Sequence, residues 1–118
     1  MTRVYEATEE QIKTAIESIN LFAEYGYSTS LRMLKNGHKM LYGVIAKDKS
    51  RIVGWGVVWS GQKEIHLFVH PEYRKNGVGS RIVRRTKRNY KNHKFCPWDE
   101  MTKSFFYKRK CNVTNIYL

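Results

Sequence analysis

The chain has 118 residues and a formal net charge of +12, because 22 Lys and Arg stand against 10 Asp and Glu. This length fits a single domain, and no apolar run approaches the ~20 residues of a membrane span. The N-terminal residues lack the apolar stretch of a secretory signal peptide, so we expect a cytoplasmic protein that does not contact a membrane.

The first part of the chain predicts a strand followed by a helix. Residues 3–6 form the short strand, and Thr8 and Gln11 have the spacing of a capping box that opens a helix. Gly26 stands where a C-terminal cap is expected, and residues 28–38 form either a short helix or a loop. The apolar residues of the helix recur at helical spacing: Ile12, Ala15, Ile16, Ile19, Phe22 and Ala23.

A hairpin of two strands is predicted next, over residues 40–47 and 51–60, with a turn at 48–50. Gly54 and Gly56 lie on one face of the second strand, where they leave room for a close neighbour or mark a bulge. The residues expected on the opposite face are Val53, Trp55, Val57 and Trp59.

The second half continues with strand 63–70, a glycine loop and a helix that is basic on its outer side. We expect a brief strand at 93–96, a helix at 98–110 and a last strand at 113–118. The side of the first of these helices expected to be buried carries Val78, Ile82, Val83, Thr86 and Tyr90.

The glycine loop after strand 63–70 is the most informative stretch, with Arg74, Gly77 and Gly79 directly before the helix. Unpaired backbone N–H groups converge at such a helix start, and the helix dipole adds positive potential. A phosphorylated ligand is therefore expected. The patterns typical of nucleoside-triphosphate and dinucleotide loops are absent. A glycine-rich turn without a ligand is the alternative.

This run resembles motif A of the GNAT superfamily of acyl-CoA-dependent N-acyltransferases, whose pattern is Gln/Arg-x-x-Gly-x-Gly/Ala. Arg74, Gly77 and Gly79 match its three defining positions, and the order of elements matches the family layout. The resemblance covers most of the chain, is specific for residues 65–85, and makes this chain a small variant. It implies a three-layer α+β fold over residues 1–118, with a mainly antiparallel mixed sheet and helices on both faces.

The resemblance also implies acetyl-CoA as cosubstrate, with its pyrophosphate on the backbone N–H groups of residues 75–80. The pantetheine arm would follow the strand before the loop, which would offer an N–H to the thioester oxygen. The residues so assigned are Leu67, Phe68, Val69, Arg74, Lys75, Asn76, Gly77, Val78, Gly79 and Ser80.

Two catalytic residues are predicted for direct acetyl transfer to a primary amine. Tyr107 resembles the tyrosine of the family's late helix and would protonate the departing thiolate; a tyrosine that caps the core is the alternative. The family places its base at strand positions occupied here by Lys63 and Ile65. Glu64 is the candidate base, although it and His66 should face the other side of the strand, and a solvated surface carboxylate is the alternative.

No metal site is expected. The histidines at 38, 70 and 93 are scattered, and Cys96 and Cys111 show no ligand spacing, so reduced thiols are favoured over a disulfide or zinc.

Asp99 and Glu100 occupy the region of the late helix where the family often carries an Asn.

The charge is concentrated between Glu72 and Asp99, a stretch without acidic residues. Its cations are Arg74, Lys75, Arg81, Arg84, Arg85, Lys87, Arg88, Lys91 and Lys94. This excess favours an acidic macromolecular acceptor, a protein lysine or an aminoacyl-tRNA, over a small polyamine; a merely solvated basic face is equally compatible. The rival functions are a nucleic-acid-binding module or a CoA-binding regulator without turnover. A dimer is plausible, but the sequence does not define the oligomeric state.

Overall fold

The computed structural model describes residues 2–18, 33, 35–61, 64–74, 76–97 and 100–114. In chain order, the described elements are β1 (Thr2–Glu6), α1 (Glu9–Ser18), β2 (Met40–Asp48), β3 (Arg51–Trp59), β4 (Glu64–Val69), a 3-10 turn (Pro71–Tyr73), α2 (Val78–Lys87), β5 (Lys94–Phe95) and α3 (Glu100–Lys108). The strands form one sheet in the order β1-β2-β3-β4-β5. The first three pairings are antiparallel and β4 pairs with β5 in parallel, which confirms the predicted mixed α+β sheet.

Helices cover both faces of this sheet, as predicted. On one face, Ile12 and Ile16 of α1 pack against Trp55, Trp59 and Phe68, all of which are fully buried. On the other face, α2 and α3 pack on a second cluster whose largest members are Ile65, Leu67, Ile82, Phe95 and Phe106. The two clusters make β3 and β4 the buried centre of the fold.

The capping box predicted at the start of α1 is confirmed. The N–H of Thr8 donates to Gln11 Oε1 at 2.8 Å, and the N–H of Gln11 donates to Thr8 Oγ1 at 3.2 Å. The rest of that prediction, residues 19–26, lies outside the described residues, as does most of the ambiguous segment 28–38.

The face predicted for Val53 is wrong, because β3 carries a bulge there. Ala46 pairs with Gly54 whereas Lys47 pairs with Ile52, so that Val53 is the extra residue on its strand. The bulge turns its side chain towards α2, away from the face of the two tryptophans.

Gly54 and Gly56 leave room for α2, and Gly54 also borders the bulge, so both roles considered for these glycines apply. A Cβ on Gly56 would lie 2.6 Å from Ile82 Cγ2, and one on Gly54 would lie 2.8 Å from the Phe68 carbonyl oxygen. Side chains at these positions would push α2 off the sheet and disturb the pairing of β3 with β4.

The last elements are shorter than predicted. α2 ends at Lys87, so Tyr90 lies beyond the helix, although its ring still packs against the core at 6.0 Å from that of Tyr42. Val113 forms one bridge with Phe95, and residues 115–118 of the predicted last strand lie outside the described residues. Within the described ranges, no helix is long and apolar enough to cross a membrane.

Candidate acetyl-CoA and active site

The turn between β4 and α2 has the backbone geometry on which the predicted anion site depends. Gly77 precedes the first turn of α2 with φ +83°, a conformation that favours glycine, and a Cβ there would meet nothing within 4 Å. The N–H of Arg81 bonds to the Gly77 carbonyl at 3.1 Å, so the preceding N–H groups, those of residues 78–80, have no acceptor within the helix. These groups and the helix dipole favour an anion in the open space before Gly77.

Side chains at the base of this turn hold it in place. Arg74 Nε donates to the Val69 carbonyl at 2.9 Å, so this motif residue shapes the turn. The Tyr73 hydroxyl donates to Asp48 at 2.7 Å, which lowers the pKa of Asp48 and raises the pKa of Tyr73. Asn76 is exposed beside the open space, and Lys75 lies outside the described residues.

Gly79 serves a different purpose from Gly77. A Cβ at Gly79 would lie 2.9 Å from Cζ of Phe105, so the glycine lets α3 cross close to the start of α2. The guanidinium carbon of Arg109 lies 3.7 Å from the centre of the Phe105 ring, and Arg109 Nε donates to Ser80 Oγ at 2.8 Å. One side of the first turn of α2 is therefore packed against α3.

The strands β4 and β5 separate close to this turn. They pair only at Glu64 and Ile65, and the last backbone bond runs from the Cys96 N–H to the Ile65 carbonyl at 3.1 Å. The His70 N–H bonds to Val53 of β3, and backbone groups alternate along a strand, so Phe68 also faces β3. Leu67 and Val69 then face the opening.

In the part of the chain that the structure describes, the Leu67 N–H has no backbone partner across this opening. We call the open edge of β4 at Leu67 and Val69, together with the start of α2, the groove; the residues predicted for the cofactor lie along it. Of the three strand residues in that prediction, Leu67 faces the groove with its backbone groups and Val69 with its N–H, since the Val69 carbonyl accepts from Arg74. Phe68 contributes its ring to the opposite core cluster.

Glu64 and His66 face the α1 side of the sheet and are buried, with relative exposures of 7% and 4%. The alternative of a solvated surface carboxylate at Glu64 is therefore wrong. The indole N–H of Trp59 donates to His66 Nδ1 at 3.2 Å, and His66 Nε2 lies 3.1 Å from Glu64 Oε2. Because an indole N–H can only donate, Nδ1 accepts, and the ring carries its proton on Nε2 and donates it to the Glu64 carboxylate.

Cys96 completes a buried group with Glu64 and His66 whose ligand atoms lie within 4.8 Å of one another. A metal bound by His66 Nε2 would need a lone pair on that atom, and the hydrogen bond from Trp59 places the proton there instead. Burial raises the pKa of the Cys96 thiol to about 12, so the thiolate that binds metals is disfavoured. The donor set therefore fits a hydrogen-bonded chain better than a metal site.

Tyr107 lies on α3, next to the fully buried Phe106, and is 57% exposed. Its described ring contact is with Lys103, whose Nζ lies 5.9 Å from the ring centre. The ring belongs to neither core cluster, so the alternative of a tyrosine that caps the core does not apply. Asp99 lies outside the described residues, and Glu100 is exposed at the start of the same helix.

Several cations of the basic stretch hold the fold together. Arg81 and Arg85 donate to backbone carbonyls of β1 at 3.0 and 3.4 Å, and Lys87 donates to two carbonyls just after α3 at 3.0 and 2.8 Å. Four exposed cations of the stretch have side chains that make no hydrogen bond or ion pair with other described residues, and we call them the outer cation patch: Arg84, Arg88, Lys91 and Lys94.

Two features of the site were not predicted. The alternation of Glu64 and His66 shows that they share a face, but their link to Trp59 depends on the register across the β3–β4 hairpin. The position of Arg109 depends on how α3 crosses α2, and its basic side chain near the end of a predicted helix was the only sequence signal.

The groove lies where the resemblance to motif A implies acyl-CoA. The family model described as "Acetyltransferase (GNAT) domain" matches residues 39–110, more than half of the chain. No curated protein matches the chain.

Solved structures share the fold at low sequence identity. A probable acetyltransferase from Staphylococcus aureus is 16% identical with a TM-score of 0.66, covering 100% of this chain and 98% of that one. The PaiA N-acetyltransferase from Thermoplasma acidophilum, in complex with coenzyme A, is 17% identical with a TM-score of 0.58, covering 92% and 88%. An aminoglycoside acetyltransferase from an uncultured soil sample is 14% identical with a TM-score of 0.60, covering 100% and 96%.

The chain therefore belongs to the GNAT family and is an acetyl-CoA-dependent N-acetyltransferase. These findings leave the acceptor of the acetyl group open.

Proposed function

We propose that residues 1–118 act as one acyl-CoA-binding domain that transfers acetyl directly to a primary amine of an acidic macromolecule. In the proposed step, the amine nitrogen attacks the thioester carbon, a C–N bond forms and the C–S bond breaks. One proton leaves the amine, and one proton is taken up by the departing CoA thiolate. The observation that carries the proposal is the groove that joins the open edge of β4 to the start of α2.

In this proposal the CoA diphosphate lies on the N–H groups at the start of α2, and the pantetheine arm follows the main chain of Leu67 and Val69. The Leu67 N–H faces the place where the thioester oxygen would lie and would stabilise the charge that develops during attack. The protein supplies mainly position and electrostatic stabilisation, since no covalent intermediate is needed.

Glu64 is the proposed base. His66 donates a hydrogen bond to its carboxylate, and Trp59 holds His66 in the tautomer that does so. The Glu64 side chain lies on the sheet face opposite α2, from which an amine would approach the thioester. Since Glu64 is buried, a water molecule would relay the proton from the amine to its carboxylate.

Tyr107 is the proposed acid, and its replacement by Phe tests this role. We expect Tyr107→Phe to lower kcat about tenfold or more while the Kd for acetyl-CoA stays nearly unchanged, because the hydroxyl acts on the leaving thiolate and not on binding. Steady-state kinetics and calorimetric titration measure the two quantities. Tyr90→Phe, which removes a hydroxyl from a ring that packs on the core, is the control. Equal turnover in the Tyr107 variant and the wild type would remove Tyr107 from the mechanism.

The outer cation patch supports a macromolecular acceptor. Arg84, Arg88 and Lys91 are exposed, whereas Arg81 and Arg85 are held by β1 and are less suited to a partner. A protein with a net charge of +12 repels small cationic amines and attracts acidic surfaces.

Replacing Arg84, Arg88 and Lys91 by Gln is expected to raise the KM for an acidic protein or aminoacyl-tRNA acceptor about tenfold, and more at low salt. The kinetics with a small test amine should not change. The control triple variant Lys13→Gln, Lys35→Gln, Lys39→Gln removes the same charge elsewhere on the chain. A small amine such as an aminoglycoside that is acetylated efficiently, with no effect of either triple variant, would replace the macromolecular acceptor by a small one.

A further inference from the structure

Trp55 and Trp59 lie on the same strand and in the same core cluster, but their indole N–H groups differ. Both side chains are fully buried against α1. The indole N–H of Trp59 donates to Nδ1 of His66 at 3.2 Å, whereas that of Trp55 has no hydrogen-bond partner among the described residues. This core therefore tolerates a buried indole without a partner, and the bond from Trp59 to His66 is not needed to bury a tryptophan here.

The polar residues next to Trp59 are more than packing of this face requires. Three alternate positions of β4 face the α1 side of the sheet: Glu64, His66 and Phe68. Phe68 shows that an apolar ring fills such a position, since it is fully buried and stacks on Trp55 with 5.9 Å between the ring centres. Burial of two ionisable side chains costs desolvation, and apolar residues of similar volume are often at least as stable. A role in the reaction accounts for the Glu64–His66 pair better than packing does.

The contact with Trp59 restricts where His66 carries its proton. An indole N–H only donates, so Nδ1 of His66 accepts, and the single proton of the ring lies on Nε2, 3.1 Å from Glu64 Oε2. A ring protonated on both nitrogens would direct an N–H group at the indole N–H. Trp59 therefore disfavours the imidazolium as well as the other neutral tautomer. In an ion pair with an imidazolium, the Glu64 carboxylate would be a weaker base.

We propose that Trp59 is a positioning residue for acetyl transfer, because it keeps His66 neutral with its one N–H on Glu64. The carboxylate is then held in place by a hydrogen bond and stays available for the proton of the amine. This inference rests on the proposed role of Glu64 as base. It adds His66 and Trp59 as residues that act on the reaction through Glu64.

Nitrogen NMR of the full chain with isotope-labelled histidine tests the tautomer directly, and His66→Gln identifies the signal because it lacks it. The wild type should show His66 with the proton on Nε2. Trp59→Phe should shift this signal towards the other tautomer or the imidazolium, and Trp55→Phe should not. A wild-type ring protonated on Nδ1 or on both nitrogens overturns the inference, as does an unchanged signal in Trp59→Phe.

Kinetics test the link to the base. We expect Trp59→Phe and His66→Phe each to lower kcat about tenfold, a part of the roughly 10²–10⁴ that a positioned base contributes, with the Kd for acetyl-CoA unchanged. Trp55→Phe makes the same substitution in the same cluster without removing a hydrogen bond, and it should turn over like the wild type. His66→Gln should recover most of the turnover, because its amide N–H can still donate to Glu64.

A double variant separates positioning from lost packing. If Trp59 acts through His66, Trp59→Phe should not lower kcat further in the His66→Phe background, whereas losses from loosened packing would add. Additive losses, or an equal loss in Trp55→Phe, overturn the inference, and thermal unfolding shows which variants are folded in the assay. Wild-type turnover of Glu64→Gln would instead overturn the proposed base and leave the NMR result standing, so the two failures are distinct.

Discussion

Replacing Gly77 by Glu is expected to weaken acetyl-CoA binding by about a hundredfold or more while the protein remains folded. The new carboxylate would stand before the start of α2, in the space proposed for the CoA diphosphate. It would repel that diphosphate and remove at least two charge-assisted hydrogen bonds, each worth roughly 1.5–3 kcal/mol. Two such bonds correspond to about two to four orders of magnitude in Kd.

Gly37 provides a matched control for this substitution. Both glycines have positive φ, +78° at Gly37 and +83° at Gly77, and a Cβ at either position would meet nothing within 4 Å. A left-handed non-glycine residue costs about 1–2 kcal/mol at either site, so Gly37→Glu carries the same backbone penalty and the same added charge. Only the Gly77 variant should lose the cofactor.

Isothermal titration with acetyl-CoA, with thermal unfolding of both variants, checks this expectation. Equal affinities for the two variants would show that the cofactor does not contact the Gly77 turn. In that case the position proposed for the diphosphate would have to be abandoned, whatever the fold.

Replacing Glu64 by Gln is expected to lower kcat about a hundredfold and leave the Kd for acetyl-CoA nearly unchanged. A general base contributes roughly 10²–10⁴ in rate, and Gln has the shape of Glu without the charge that accepts a proton. The side-chain carbonyl of Gln can still accept the hydrogen bond from His66 Nε2, so the buried chain to Trp59 is kept. The loss should therefore appear in the chemical step and not in folding.

Glu72→Gln is the control for the Glu64 substitution. Glu72 also accepts from a side chain, that of Arg51 at 3.3 Å, but it is exposed and outside the groove. Single-turnover kinetics with saturating acetyl-CoA isolate the chemical step. If both variants turn over like the wild type, Glu64 is a structural partner of His66 and the amine loses its proton to solvent.

The fold could be predicted largely because local signals and global packing agree in this chain. The capping box of Thr8 and Gln11, the alternation along β4 and the glycine turn each define an element without distant contacts. The predicted side-chain direction along β3 was wrong at Val53, since a bulge depends on how two strands pair and not on either strand alone.

The same difference between local signals and long-range contacts applies to the site. Gly77 and the start of α2 were predictable, because a left-handed glycine before a helix is a local pattern. The burial of Glu64 and the position of Arg109 were not, since each depends on contacts between residues far apart in sequence, with Trp59 across a hairpin and with Ser80 across two helices. A carboxylate in a basic chain looks like a surface residue until its partners are known.

The bonds that join α2 to the end of α3 affect how the cofactor enters. Lys87 at the end of α2 and Ser80 at its start are both joined to the segment just after α3, through the carbonyls of Arg109 and Lys110 and the side chain of Arg109. Moving this end of α3 away from α2 would break three hydrogen bonds at once. With the cofactor in the proposed position, we expect CoA to enter along the open strand edge, with little rearrangement of these two helices.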